Sequence, residues 1–195
     1  MTGTIVSSAA IDDALMLMRE RRSRPRLTAP GPSRTELCEM LHAACAAPDH
    51  GRLRPWRFVV AEGPALVQLG EAFAAAHAEL DPAATDAELA RSRTKPLRAP
   101  LIVVVVGTPR AHPKIALWEQ RAAAVCAAHG LVLAAHATGY GAMWRSGWYG
   151  DAPKVRAHLC IDDAEEVIGW IYLGTPAGSE PVARPAVELP VTWLG

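Results

Sequence analysis

The densest positive charge in the chain lies in Arg19-Glu20-Arg21-Arg22-Ser23-Arg24-Pro25-Arg26. Guanidinium groups grip phosphate through paired hydrogen bonds, and a serine hydroxyl adds one more donor. Arg21, Arg22 and Ser23 therefore form a candidate anion site. The plain alternative is a solvated helix end whose arginines complement the helix dipole. A second candidate is the polar loop Ala47-Pro48-Asp49-His50-Gly51-Arg52-Leu53-Arg54, which runs into Pro55-Trp56-Arg57-Phe58. Loops at strand ends commonly carry ligand contacts. His50 has a proton to donate and Trp56 a large ring to anchor the loop, although a simple helix-to-strand connection has the same composition. The third candidate is Gly139-Tyr140-Gly141-Ala142-Met143-Trp144-Arg145-Ser146-Gly147. Its glycines admit close backbone approach. Arg145 interrupts an apolar run, and an arginine buried there needs a partner.

Other constellations are weaker. Cys38, His42 and Cys45 share one helical face at i, i+4 and i+7, a spacing compatible with a soft metal. No fourth ligand stands nearby, and Leu37, Leu41 and Ala44 mark adjoining core. Arg91, Arg93, Lys95 and Arg98 read as a solvated helix face. The chain contains no GxSxG elbow, GxGxxG fingerprint or P-loop. Nothing marks a protein nucleophile.

These groups are carried by 195 residues, half of them hydrophobic and 21% charged, which is ordinary globular composition. Lys plus Arg and Asp plus Glu both number 20, so the basic excess of a typical nucleic-acid binder is missing. The four cysteines are widely spaced and no signal peptide is evident, which points to a reducing, cytoplasmic compartment. The longest apolar stretch, 122–137, is shorter than a comfortable membrane span and reads as a buried helix.

The elements that position the candidates follow from periodicity and punctuation. Helices are expected over 11–22, from a Ser33–Glu36 capping box to about 47, over 65–80, from Asp81-Pro82 to about 93, over 118–138 and over 153–160. Strands are expected over 56–61, 101–106, 142–146 and 166–173. The five β-branched residues after Leu101 mark a central strand buried on both faces. A segment from about 175 reads as an extended, proline-rich tail. Together these give one α/β or α+β domain over 1–195, with helices on both faces of a sheet.

Six segments occur together in one order: Arg21-Arg22-Ser23-x-x-Arg26, the Ala47-to-Phe58 loop, Arg98-Ala99-Pro100-Leu101-Ile102, Trp118-Glu119-Gln120, Gly141-x-x-Trp144-Arg145-Ser146-Gly147 and Ile171-Tyr172-Leu173-Gly174-Thr175-Pro176. In this the chain resembles the nitroreductase-like flavoproteins over roughly 11–176, in particular their short YdjA-like NAD(P)H nitroreductase branch. The resemblance implies an α+β, three-layer fold with a central mixed sheet flanked by helices, in an intertwined homodimer. It implies FMN at the dimer interface, reduced by NADH or NADPH and reoxidised by a small-molecule acceptor such as a nitroaromatic or quinone. Carried over by position, Arg21, Arg22 and Ser23 hold the phosphate and ribityl end, His50 reaches the cofactor from the other subunit, and Trp144, Arg145 and Ser146 form a second flavin-contacting segment. Two positions depart from the family pattern. Arg54 stands where many relatives have glutamine, and Ala46 where the closest subgroup often has arginine. Two other readings stay open: a flavin-sequestering protein with little turnover, and an interaction protein whose arginines bind an anionic partner.

Overall fold

The computed structural model describes residues 8–178 and 187–194. Helix α1 spans Ser8–Glu20, and two residues, Leu27–Thr28, form the short strand β1. Helix α2, Arg34–Ala44, opens with the expected reciprocal cap: Ser33 N–H donates to the Glu36 carboxylate at 2.8 Å and Glu36 N–H donates to Ser33 Oγ at 3.3 Å. Strand β2 (Trp56–Glu62), helix α3 (Pro64–Leu80) and strand β3 (Leu101–Gly107) match their sequence signals. Helix α4 starts later than Asp81-Pro82 suggests. It spans Asp86–Thr94 because Thr85 and Glu88 form a second capping box, which fixes the first turn there. Helix α5 (Leu117–Ala137), strand β4 (Gly141–Arg145), helix α6 (Pro153–His158) and strand β5 (Glu166–Pro176) follow as expected. The proline-rich tail falls partly on 179–186, outside the described residues.

The strands form one sheet in the order β1-β5-β3-β2, with β4 also on β5. Every pairing between these strands is antiparallel. The mixed character expected of the sheet is met, among the described residues, only by the parallel bridge between Ser23 and Ala142. That bridge lays the arginine-rich segment beside β4.

Residues 102 to 106 of β3 have no exposed surface. On one face Ile102, Val104 and Val106 pack with Leu66, Leu69 and Phe73 of α3, Val155 of α6, and Trp170 and Tyr172 of β5. On the other, Leu101, Val103 and Val105 pack with Leu37 and Met40 of α2 and with Ala128, Leu131 and Ala135 of α5. The molecule is thus helix, sheet and helix in three layers. The Ala-rich face of α5 accounts for its close approach, since small side chains let a helix lie near the sheet.

Strand alternation then sorts β4. Trp144 lies with the α2–α5 layer, its indole against Gly169, where a Cβ would meet Nε1 at 2.1 Å. Arg145 consequently faces the α3–α6 layer, over the Tyr172 ring.

Arg57 of β2 clamps the turn before β5. Its Nε and Nη2 donate to the two Glu165 carboxylate oxygens at 2.7 and 2.6 Å, and Nη2 also donates to the Cys160 carbonyl at 2.7 Å. The hydrogen bonds from Arg57 hold the Glu165 carboxyl below its ordinary value of 4.5. A carboxylate with a lowered folded-state pKa stabilises above the unfolded value, and that contribution fades as pH falls through the folded one. Denaturant titrations between pH 7 and 3 will show the wild-type chain losing stability below about 4.5 more steeply than Glu165→Gln. Equal acid slopes would remove the clamp from the account.

Candidate functional site

Arg145 ends β4 in an unusual electrical position. Its Nε is buried and has no hydrogen-bond partner, and its guanidinium carbon lies 5.5 Å from the centre of the Tyr172 ring. Tyr172 offers no counter-charge. Burial raises its phenol above the ordinary 10, an effect that Arg145 opposes without reversing. Arg145 lines a cavity of about 230 Å³ together with Ser146, Lys95, Arg98 and an aromatic wall of Phe73, Trp148, Tyr149, Trp170 and Tyr172. Three cations and no carboxylate face this space. Its chemistry suits a flat, electron-rich group with negative charge, stacked on rings and bonded by guanidinium and ammonium donors.

Lys95 is fixed there by a hydrogen-bond chain. Its Nζ donates to the Tyr149 hydroxyl at 2.7 Å, the Tyr149 hydroxyl donates to Ser92 Oγ at 2.9 Å, and Ser92 Oγ lies 2.8 Å from His77 Nδ1. Tyr149 is held in turn by stacking on Phe73, with ring centres 4.1 Å apart, and on Trp148 at 4.0 Å.

The arginine-rich segment lies at the other end of β4. Arg24 N–H donates to the Ala142 carbonyl at 2.9 Å, in register with the Ser23–Ala142 bridge. Arg22 and Arg24 line a second cavity of about 250 Å³ with His136, Gly139 and Tyr140 at the end of α5. Arg22 Nη1 donates to the Arg19 and Arg21 carbonyls at 2.7 and 3.1 Å, closing the end of α1. The concentration of charge is legible in His136. Burial first, then Arg21 and Arg24, lower its pKa and favour the neutral ring. Ser23 and Ser146 are both exposed. A five-residue strand spans about 13 Å between its end residues, and alternation along β4 puts Ala142 of the second cavity and Arg145 of the first on opposite faces of the sheet.

His50 stands elsewhere. It begins a single 3-10 turn, His50–Arg52, and its Nδ1 lies 2.9 Å from Glu119 Oε2 in the first turn of α5. That contact, and after it the Ala116 N–H, lowers the Glu119 carboxyl below 4.5. The turn is tight. Gly51 has φ +74°, and a Cβ there would fall 2.5 Å from Ile115 Cδ1. From Glu119 to His136 is 17 residues of helix, or about 25 Å. Within one chain His50 and the Arg21–Ser23 segment therefore sit at opposite ends of α5. Trp56 anchors the loop in the core, as its sequence position suggests. Arg54 is exposed beside it, and its N–H donates to Asp49 Oδ2 at 2.6 Å.

The solvated face expected over Arg91–Arg98 fails at Lys95, which is half-buried, whereas Arg98 is exposed as expected while also lining the Arg145 cavity. Arg91 and Arg93 are the solvated residues expected, Arg93 pairing with Glu71 at 2.8 Å. Lys95, however, follows α4 at a 3-10 turn, Pro96–Arg98, which directs it to the Arg145 cavity. Helical spacing does not extend across such a turn. His136, Tyr149, Ser92 and His77 were not singled out at all. The one available signal was two polar residues, His77 and Ser92, in otherwise alanine-rich or charged helices. Cys38, His42 and Cys45 all lie exposed on α2, and among the described residues no group of three potential metal ligands converges.

The family model described as "Nitroreductase family" matches residues 18–175. The Escherichia coli K12 protein named "Putative NAD(P)H nitroreductase YdjA" is 37% identical over 166 residues, 84% of this chain and 88% of its own. Among solved structures, a nitroreductase-like family protein from Bacillus cereus superposes with a TM-score of 0.74 at 23% identity, covering 95% of both chains. A nitroreductase with bound FMN from Bacteroides fragilis gives 0.71 at 23% identity, covering 93% of this chain and 98% of that one. The match over most of the chain, with the same fold, establishes that this chain belongs to the nitroreductase family.

Proposed function

We propose that the chain is an FMN-dependent NAD(P)H oxidoreductase, working as a homodimer on a small acceptor such as a quinone or nitroaromatic. The observation that carries this reading is the Arg145 cavity: a buried Nε without an acceptor, two further cations, and an aromatic wall. The donor set fits the flavin's electron-rich pyrimidine end, and the Arg21–Ser23 segment offers the cationic donors that a phosphate needs. The B. fragilis relative binds FMN on the same fold, which supports the assignment.

Bound FMN would supply the hydride chemistry, taking two electrons from a reduced nicotinamide and passing them to the acceptor. The chain's own residues do the rest. Arg21, Arg22 and Ser23 bind the phosphate, a group of charge near −2 that favours charge-assisted donors. Arg145 and Lys95 stabilise negative charge that grows on reduction, and the backbone of Trp144, Arg145 and Ser146 supports the ring. No protein nucleophile is needed.

His50 completes the site from a second copy. Its position at the far end of α5 supports this, because it cannot reach the Arg21–Ser23 segment of its own chain. The apolar surface left on one chain supports the dimer too. Met16 and Met18 of α1 are more than half exposed, Trp118 is 68% exposed, and Trp193 and Leu194 in the tail are 88% and 96% exposed. Residues 187–194, exposed on one chain, are assigned to covering that partner.

The decisive experiment is a visible absorption spectrum of the dimer after FMN addition and desalting. Retained flavin bands at one FMN per chain are expected. A colourless protein favours the interaction-protein reading, and bound flavin that NADH and NADPH fail to reduce favours sequestration. Arg21→Ala will raise the FMN dissociation constant by roughly 10- to 150-fold, the equivalent of one charge-assisted contact. An unchanged constant removes Arg21 from the phosphate site. Arg145→Met will stabilise the apo chain, by about 1 kcal/mol in chemical denaturation, because it deletes an unsatisfied buried donor. A large loss of stability would mean that Arg145 is a structural pair.

A further inference from the structure

The hydrogen-bond chain from His77 to Lys95 has the form of a conduit. Its middle is sealed, with Ser92 1% and Tyr149 8% exposed, while both ends, His77 and Lys95, are half-buried. Lys95 faces the Arg145 cavity and His77 is not among the residues that line it. The three contacts measure 2.7, 2.9 and 2.8 Å. Each hydroxyl in it donates to one neighbour and accepts from the other, so once Lys95 has given up a proton, rotating the two hydroxyls reverses its direction. Clamping Lys95 alone would require only Tyr149. The buried Ser92 and the imidazole behind it, whose ring also lies edge-on to Trp148 at 6.1 Å, extend the path beyond Tyr149. Imidazole is also the side chain that ordinarily exchanges protons with water near neutral pH.

We infer that His77, Ser92, Tyr149 and Lys95 form a proton path that delivers, into the Arg145 cavity, the proton that must accompany each hydride. The inference rests on the flavin reading above. For a quinone acceptor the balance is one hydride from the reduced nicotinamide and one proton from solvent. The nicotinamide is oxidised and the quinone is reduced to the hydroquinone. An O–H bond forms as a Lys95 N–H bond breaks. Lys95 regains its proton from the Tyr149 hydroxyl, Tyr149 from the Ser92 hydroxyl, and Ser92 from His77 Nδ1–H, while water recharges the imidazole. Lys95 is the group that meets the reacting molecules; the other three act through it.

Two measurements test this on the full-length dimer. In the protein without added cofactor, ¹⁵N NMR of labelled histidine should show the His77 nitrogens shifting in Tyr149→Phe, which keeps the ring stack but breaks the path two groups away. In the FMN-loaded protein, stopped-flow absorbance separates flavin reduction by NADH from reoxidation by 1,4-benzoquinone. His77→Gln keeps a hydrogen-bonding partner for Ser92 but carries no proton. It should reduce at the wild-type rate and reoxidise about tenfold more slowly, below the ~10²-fold of a full general acid because water reaches the half-buried end. Free imidazole should restore reoxidation in His77→Ala and leave Ser92→Ala slow. Unshifted His77 nitrogens, wild-type reoxidation in His77→Gln, or equal slowing of both half-reactions each overturn the path. Failure of the wild-type protein to take up FMN overturns the flavin reading and this inference with it, a result distinct from bound flavin with unchanged half-reactions.

Discussion

A cation without a counter-charge, at the end of a strand, organises this molecule. A buried donor without an acceptor costs free energy, and the Nε of half-buried Arg145 is one, its guanidinium lying over the face of Tyr172. The fold could have relieved the strain by turning β4 one residue. It does not, because the indole of Trp144 occupies the space over Gly169 and strand alternation then commits Arg145 to the opposite face. Burial keeps Tyr172 protonated, so the ring gives a quadrupole but no charge. Lys95 and Arg98 add to the imbalance. Stability alone gives no reason for such a cluster, and a ligand that brings negative charge does.

The parts of this arrangement that were legible in the sequence are those that local physics decides. The Ser33–Glu36 box, the β-branched run of β3 and the alanine-rich length of α5 each specify their own structure, and all three stand as expected. Arg145 was conspicuous for the same reason, as a charge in an apolar strand. The start of α4 departs from the sequence expectation because the proline after Asp81 competes with the Thr85–Glu88 box that begins three residues after it, and the box prevails. Lys95 was read as surface because its neighbours Arg91 and Arg93 are. Its inward direction is set by a 3-10 turn, and its partner Tyr149 sits in another, Trp148–Gly150. Neither turn has a period that a sequence pattern can carry. The meeting of His77, Ser92 and Tyr149 depends on how α3 and α4 pack, which is tertiary information throughout.

The length of α5 sets a second constraint. It separates the Glu119–His50 contact from the arginines around His136 by about 25 Å. A cofactor that needs both groups needs two copies of the chain. In a two-fold dimer whatever one copy lends it also receives, so two equivalent sites would form or none. The exposed methionines of α1 and the apolar tail are the surfaces such a dimer would bury.

In the proposed dimer, cofactor binding, dimerisation and stability would be coupled. A ligand that binds only the folded dimer stabilises it by about 2.7 kcal/mol at a hundredfold excess over its dissociation constant. Here the gain should exceed what contacts alone suggest, because the ligand also satisfies the orphaned Nε of Arg145. The charges that face the empty cavity are those that would hold electron density in the loaded one. A variant that neutralises Arg145 gains stability from the protein alone and loses it when the ligand is present. The sign of that change with ligand separates a site built for an anion from an arginine that is merely badly placed.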